Sequence, residues 1–132
     1  MSRGGFFAVD SLTSVHVIVV DDEEPFRGIL MSLLRYCGAL VTAVATADDA
    51  LASMDQVKPD VVVVTSRGAR GPADRLVSLI RSRKPENGGV VPIVAVLREG
   101  VETPVDGVNA HIAEPLNPWE LCRLISGLLA TD

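Results

Sequence analysis

Apolar residues follow two alternating rhythms along this chain, and the alternation predicts a fold before any motif does. Largely apolar runs at Val15–Val20, Leu40–Ala45, Val61–Val64, Pro92–Leu97 and Asn109–Ala113 read as strands. The first and third are almost all Val and Ile, as expected of strands covered on both faces. Pro92 stands at the first position of its strand, where a missing N–H is tolerated. The fifth run is short and suits a sheet edge.

Between these runs the spacing turns helical. After Pro25, a good first residue for a helix, come Phe26, Ile29, Leu30, Leu33, Leu34 and Cys37, and Gly38 ends the stretch. Thr46 is placed to cap a second helix whose inner stripe is Ala47, Ala50, Leu51 and Met54. Ala73, Leu76, Val77 and Ile80 mark a third. Asn117-Pro118-Trp119-Glu120 is a helix start, followed by Leu121, Leu124, Ile125, Leu128 and Leu129. Strands alternating with helices predict βαβ units and a parallel sheet.

One unit breaks the pattern. Only Arg98 to Asp106 separate Leu97 from Gly107, whereas an average helix takes about 11 residues before its connections. Gly100 and Pro104 both oppose a helix interior. The fourth helix is therefore expected to be missing or cut to about one turn.

At 132 residues the chain has room for one core, expected over residues 14–132 behind a flexible tail of residues 1–13. A net charge of −5 argues against a nucleic-acid surface. Without an apolar run of roughly 18 residues a membrane span is not expected, and Phe6–Val9 is too short for a signal peptide. Cys37 and Cys122 lie in no metal-type spacing and read as buried thiols of a reducing cytosol. His16 reads as a hydrogen-bonded, partly buried strand residue. A cytoplasmic protein is expected.

The chemistry collects at strand ends. Val19-Val20-Asp21-Asp22-Glu23-Glu24 closes the first strand on a run of acids. Lys58-Pro59-Asp60-Val61-Val62-Val63-Val64, Val91-Pro92-Ile93-Val94-Ala95-Val96 and the segment Gly107 to Leu116 follow in order. Together these resemble the receiver domain of bacterial response regulators over about Ser14 to Ala130. The resemblance implies an α/β fold, a (βα)5 doubly wound parallel sheet of flavodoxin-like type with strand order 2-1-3-4-5. In such a sheet functional residues gather beyond the carboxyl ends of the strands, where strand order reverses.

Compared with that family the chain departs at three positions. Thr65 stands where the phosphate-accepting aspartate is expected, and a threonine hydroxyl needs a base to attack phosphorus. Leu97 stands at the place of a Ser or Thr hydroxyl. Glu114, before Pro115, stands at the place of a lysine, and like charges about 4 Å apart repel by roughly 4 kcal/mol at an effective dielectric near 20. Asp60 cannot substitute as acceptor, since five residues of strand place it about 16 Å from Thr65. His111 stands where the family often has a switching aromatic residue and reads here as a surface residue of an edge strand.

Asp21, Asp22 and Glu114 leave a remnant acidic pocket that needs positive charge. Arg67 and Arg98 leave the very strands that form it and are the expected counter-charges. The other solution is a weak divalent cation, held at Asp21 and Asp22 or between Asp22 and Glu114; no other cofactor is expected. The leading expectation is an atypical response regulator receiver, a pseudo-receiver and no enzyme, acting by phosphorylation-independent protein contact. Its partner would be a histidine kinase or another regulator, with Trp119, expected near an uncovered sheet edge, and His111 as contact residues. A homodimer is compatible with this, no nucleic acid or membrane is involved, and no output domain is expected after the last helix. The alternative is a sensor of a small anionic ligand, using Leu97, Arg67, Arg70 and Arg98 around the same pocket.

Overall fold

Strand burial follows from sequence alternation once two layers of helix cover the sheet. The computed structural model describes residues 11–67, 73–102 and 104–130. Among them the chain runs β1 (His16–Val20), α1 (Glu24–Tyr36), β2 (Leu40–Val44), α2 (Ala47–Gln56), β3 (Val61–Ser66) and α3 (Ala73–Arg81). A single 3-10 turn (Pro85–Asn87), β4 (Ile93–Leu97), β5 (Ala110–Ala113) and α4 (Pro118–Leu129) complete it. The strands form one parallel sheet in the order β2-β1-β3-β4-β5.

Successive strand residues divide between the two faces, as a period of two requires. Ile18, Val20, Val62, Val64, Ile93 and Ala95 pack with the inner residues of α2 and α3. Val17, Val19, Val61, Val63, Val94 and Val96 pack with α1 and α4 through Leu30, Leu34, Leu121 and Ile125. Each such Val, Leu or Ile contributes about 1.5–3 kcal/mol on full burial.

Helix starts are fixed locally. The Thr46 hydroxyl accepts the Asp49 N–H at 3.0 Å, and Asn117 Oδ1 accepts those of Trp119 and Glu120 at 2.9 and 3.3 Å. A side-chain cap of this kind is worth about 1 kcal/mol.

The boundaries differ from the sequence expectation in instructive ways. β3 runs on through Thr65 and Ser66, which pair with Val96 and Leu97; a polar side chain does not end a strand whose neighbour continues. Val15, Ala45, Pro92 and Asn109 fall just outside their strands, yet the Pro92 carbonyl still accepts the Val62 N–H at 2.9 Å. Leu12, placed in the tail by its sequence position, is fully buried, and its N–H donates to the Cys37 carbonyl at 2.9 Å. The remainder of that tail, residues 1–10, lies outside the described residues.

No helix links β4 to β5 among the described residues. The connector is held by Arg81 at the end of α3. Its Nε donates to the Gly107 carbonyl at 2.8 Å, and Nη1 to the Gly89 and Val91 carbonyls at 3.0 and 2.8 Å. Its Nη2 donates to Asn109 Oδ1 at 2.9 Å, the same oxygen that accepts the Ile93 N–H at 2.8 Å. Gly107 has φ +90°, and a Cβ there would meet Val77 Cγ1 at 2.8 Å, so the connector lies flat against α3 only with glycine at this point. Val105 is buried in the α2/α3 core, which supplies part of the apolar cover that a helix would otherwise give.

Candidate functional site

β1 and β3 lie side by side, and their carboxyl ends bring Asp21 against Thr65. Asp21 is 1% exposed and Thr65 2%. The Thr65 hydroxyl donates to Asp21 Oδ2 at 3.0 Å, while Asp21 Oδ1 accepts the Glu23 N–H at 2.9 Å. Both carboxylate oxygens are thus engaged. Arg27 Nη1 donates to the Asp21 carbonyl at 3.0 Å and ties the first turn of α1 to the same corner.

The arginines after β3 and β4 meet the acids after β1 and β5. Arg67 Nη2 pairs with Asp22 Oδ2 at 2.5 Å. Arg98 bridges two acids: Nη1 donates to Glu23 Oε1, and Nε to Glu114 Oε1 at 3.0 Å. Its guanidinium carbon lies 3.5 Å from the centre of the Phe26 ring, a cation–π contact that also shields it from water. Glu114 Oε1 additionally accepts the Glu99 N–H at 3.1 Å. The hydrogen bond from Arg98 holds the Glu23 carboxyl below its ordinary range. Burial acts to lower the Arg98 pKa, but its hydrogen bonds to Glu23 and Glu114 outweigh it and the net shift is upward. Glu23 and Arg98 therefore both stay charged in the neutral range.

The sequence-derived candidates do not all converge. Asp21, Asp22, Thr65, Arg67, Leu97, Arg98 and Glu114 all lie at the carboxyl edge of the sheet; Leu97 pairs with Ser66 and Ala113 at the end of β4. Asp60 is at the other end of β3, where its Oδ2 accepts the His16 N–H at 2.8 Å. His111 is exposed on β5, and its Nε2 accepts the Val105 N–H at 2.9 Å, so the ring braces the connector. Trp119 is 37% exposed and its ring lies 6.1 Å from that of Tyr36, at the end of α1. It packs beside the end of α1, on the sheet face that α1 and α4 share. Arg70 lies outside the described residues. Glu23 and Phe26 were missed by sequence reasoning. In the acidic run nothing but geometry shows which carboxylate faces Arg98. A cavity of about 480 Å³ lies at the opposite end of the sheet, lined by Met54, Lys58, Pro59, Asp60 and Pro92 among others, and shares no residue with this site.

No family model matches the chain. An uncharacterised 14.6 kDa protein encoded in the sodA1 3′ region of Leptolyngbya boryana is 28% identical over 122 residues, 89% of this chain and 92% of that protein. The probable transcriptional regulatory protein TcrX of Mycobacterium tuberculosis is 26% identical over 119 residues, and the match spans 50% of its length. The solved receiver domain of the sensor histidine kinase PA1611 from Pseudomonas aeruginosa, with magnesium coordinated in its active-site cleft, superposes with a TM-score of 0.77. It is 24% identical, and the match covers 90% of this chain and all of that domain. This chain has the receiver fold.

Its similarity is to response regulators and receiver domains of bacterial two-component signalling. The receiver fold raises the question of magnesium, which demands near-ideal octahedral oxygen donors at about 2.0–2.1 Å. The donors present do not fit. Asp21 spends its oxygens on Thr65 and Glu23, and Asp22 and Glu114 are bonded to arginine. Among the described residues no group of three or more His, Cys, Asp or Glu side chains converges on one point. A peptide bond in the cis form joins Glu114 to Pro115 and carries the chain from β5 towards α4.

Proposed function

We propose that this receiver domain transmits signals by protein contact without phosphorylation, as a pseudo-receiver. One observation carries the reading: the Thr65 hydroxyl is buried and bonded to Asp21, while Arg67 and Arg98 neutralise the surrounding acids from within. A receiver that switches needs a carboxylate to take the phosphoryl group and a cation that answers it. Here an alcohol stands in place of the first. The place of the second holds Glu114, which has taken up Arg98. The internal ion pairs hold the cleft in one state that needs neither magnesium nor phosphate.

The partner is a protein, of the histidine kinase or regulator class or a second copy of this chain. Trp119, with Tyr36 at its side, is the proposed contact. Replacing Trp119 by Ala should weaken that association and leave the fold intact, as read by circular dichroism alongside binding or self-association. Sensing of an anion at this cleft is disfavoured because Arg67 and Arg98 are already committed to carboxylates.

Magnesium titration tests the reading. Melting temperature and calorimetric heat should stay flat through millimolar magnesium. A saturable rise in melting temperature would show that the acids release their arginines for a metal, and the reading would fail.

A further inference from the structure

The sequence carries two cysteines, 85 residues apart. The fold brings them together. Cys37 caps the end of α1 and Cys122 lies in the first half of α4, and their Sγ atoms are 2.6 Å apart. That is well inside two sulfur radii and roughly half an ångström beyond a sulfur–sulfur bond of about 2.05 Å. Both residues are buried, at 1% and 0% exposure, in the cluster that contains Leu12, Leu34, Leu121 and Ile125. Their surroundings are apolar, so each thiol finds its polar partner in the other.

We propose that Cys37 and Cys122 are an oxidisable pair, which a hydroperoxide converts to a disulfide that fastens α1 to α4. One thiol attacks a peroxide oxygen, the O–O bond breaks, and water and a sulfenic acid result. The second thiol then attacks the sulfenic sulfur and water leaves. In total two thiols and one hydrogen peroxide give one disulfide and two waters; each sulfur loses one electron and one proton, and the peroxide takes up both pairs. Because the sulfurs already touch, closing the bond needs little backbone movement. Burial, followed by the hydrogen bond shared with Cys37, pushes the Cys122 thiol above its ordinary range and keeps it protonated. Oxidation therefore waits on a local opening of α4, and its rate should level off as peroxide rises.

The bond would matter to the exposed face as well. Tyr36 immediately precedes Cys37, and Trp119 stands one helical turn before Cys122, so the staple would fix the two rings that lie 6.1 Å apart. This inference does not rest on the phosphorylation-independent reading, and either can fail alone. In a reducing compartment such a bond is transient and marks oxidant stress.

The test uses the full chain, treated with hydrogen peroxide or refolded from denaturant in oxidised glutathione, then unfolded and exposed to iodoacetamide before intact mass is read. In either arm the product should lose two hydrogens and take no label. Dithiothreitol should restore two labels and lower the melting temperature by on the order of 10 °C. With two cysteines in the chain, any bond within one molecule is this one. Cys37→Ser and Cys122→Ser should each form no bond within the chain, and each should take one label after dithiothreitol. Full labelling of both thiols in both arms overturns the proposal, as does a bond that lowers the melting temperature or one found between chains alone.

Discussion

The corner between β1 and β3 is decided by a hydroxyl and a carboxylate. With Thr65 donating to Asp21 at 3.0 Å, the pair is satisfied and uncharged on one side, which is how Asp21 tolerates 1% exposure. Thr65→Asp would put two carboxylates there. Repulsion of roughly 4 kcal/mol at 4 Å and an effective dielectric near 20 sets the scale, and relaxation will reduce it, so a loss of about 2–4 kcal/mol is expected in urea unfolding at pH 7. Magnesium should recover part of that loss in the variant alone. Arg98→Ala would strip Glu23 and Glu114 of their partner and uncover Phe26. The Arg98 side chain is 16% exposed, so this lies between a surface and a buried pair, and a cost of about 1–3 kcal/mol is expected. Glu23 also fixes a pH effect. Its folded pKa is lowered from 4.5, so its stabilisation is fully present above the unfolded value and is lost as pH falls through the folded one. Stability should therefore decline on acidification below about pH 4.5, and Glu23→Gln should decline less over that window. The family resemblance singled out Thr65, Leu97 and Glu114 at countable strand ends, and the two arginines follow those same strands. It could not choose Glu23 from an acidic run, nor see Phe26 beneath Arg98, since both depend on the turn from β1 into α1.

At the level of elements, the β4–β5 connection is the unusual part of this receiver fold. Its brevity was legible: nine residues with Gly100 and Pro104 do not hold a regular helix. What replaces the helix was not legible, because Arg81 works through the carbonyls of Gly89, Val91 and Gly107, and carbonyls have no signature in a sequence. Burial lowers the Arg81 pKa, yet it remains a cation in the neutral range and its hydrogen bonds hold. Arg81→Ala should cost about 1–3 kcal/mol by leaving several acceptors unanswered. Hydrogen exchange should rise at Ile93 and Asn109, whose amides flank the anchored oxygen. Exchange confined to α1 would contradict this role. The longer β3 has the same moral. An apolar run marks the minimum of a strand, and Thr65 and Ser66 continue the ladder because β4 offers them partners.

For the whole molecule, the parallel sheet and its two apolar layers were written in the strand–helix alternation, the strand order came with the family resemblance, and the carboxyl-edge position of the candidate site followed from topology. The pairing of Cys37 with Cys122 was not, since helix ends 85 residues apart meet through the stacking of α1 and α4 on one sheet face. In the proposed function, arginines of the chain itself close the switch point of the receiver fold and a surface carries the output. Exposing the protein to a small-molecule phosphodonor with magnesium, then weighing it intact, asks the central question directly. The chain should keep its mass, with Thr65 unmodified, under conditions that phosphorylate a receiver with an acceptor aspartate run alongside. A stoichiometric phosphoryl adduct on any residue of this cleft would contradict the account.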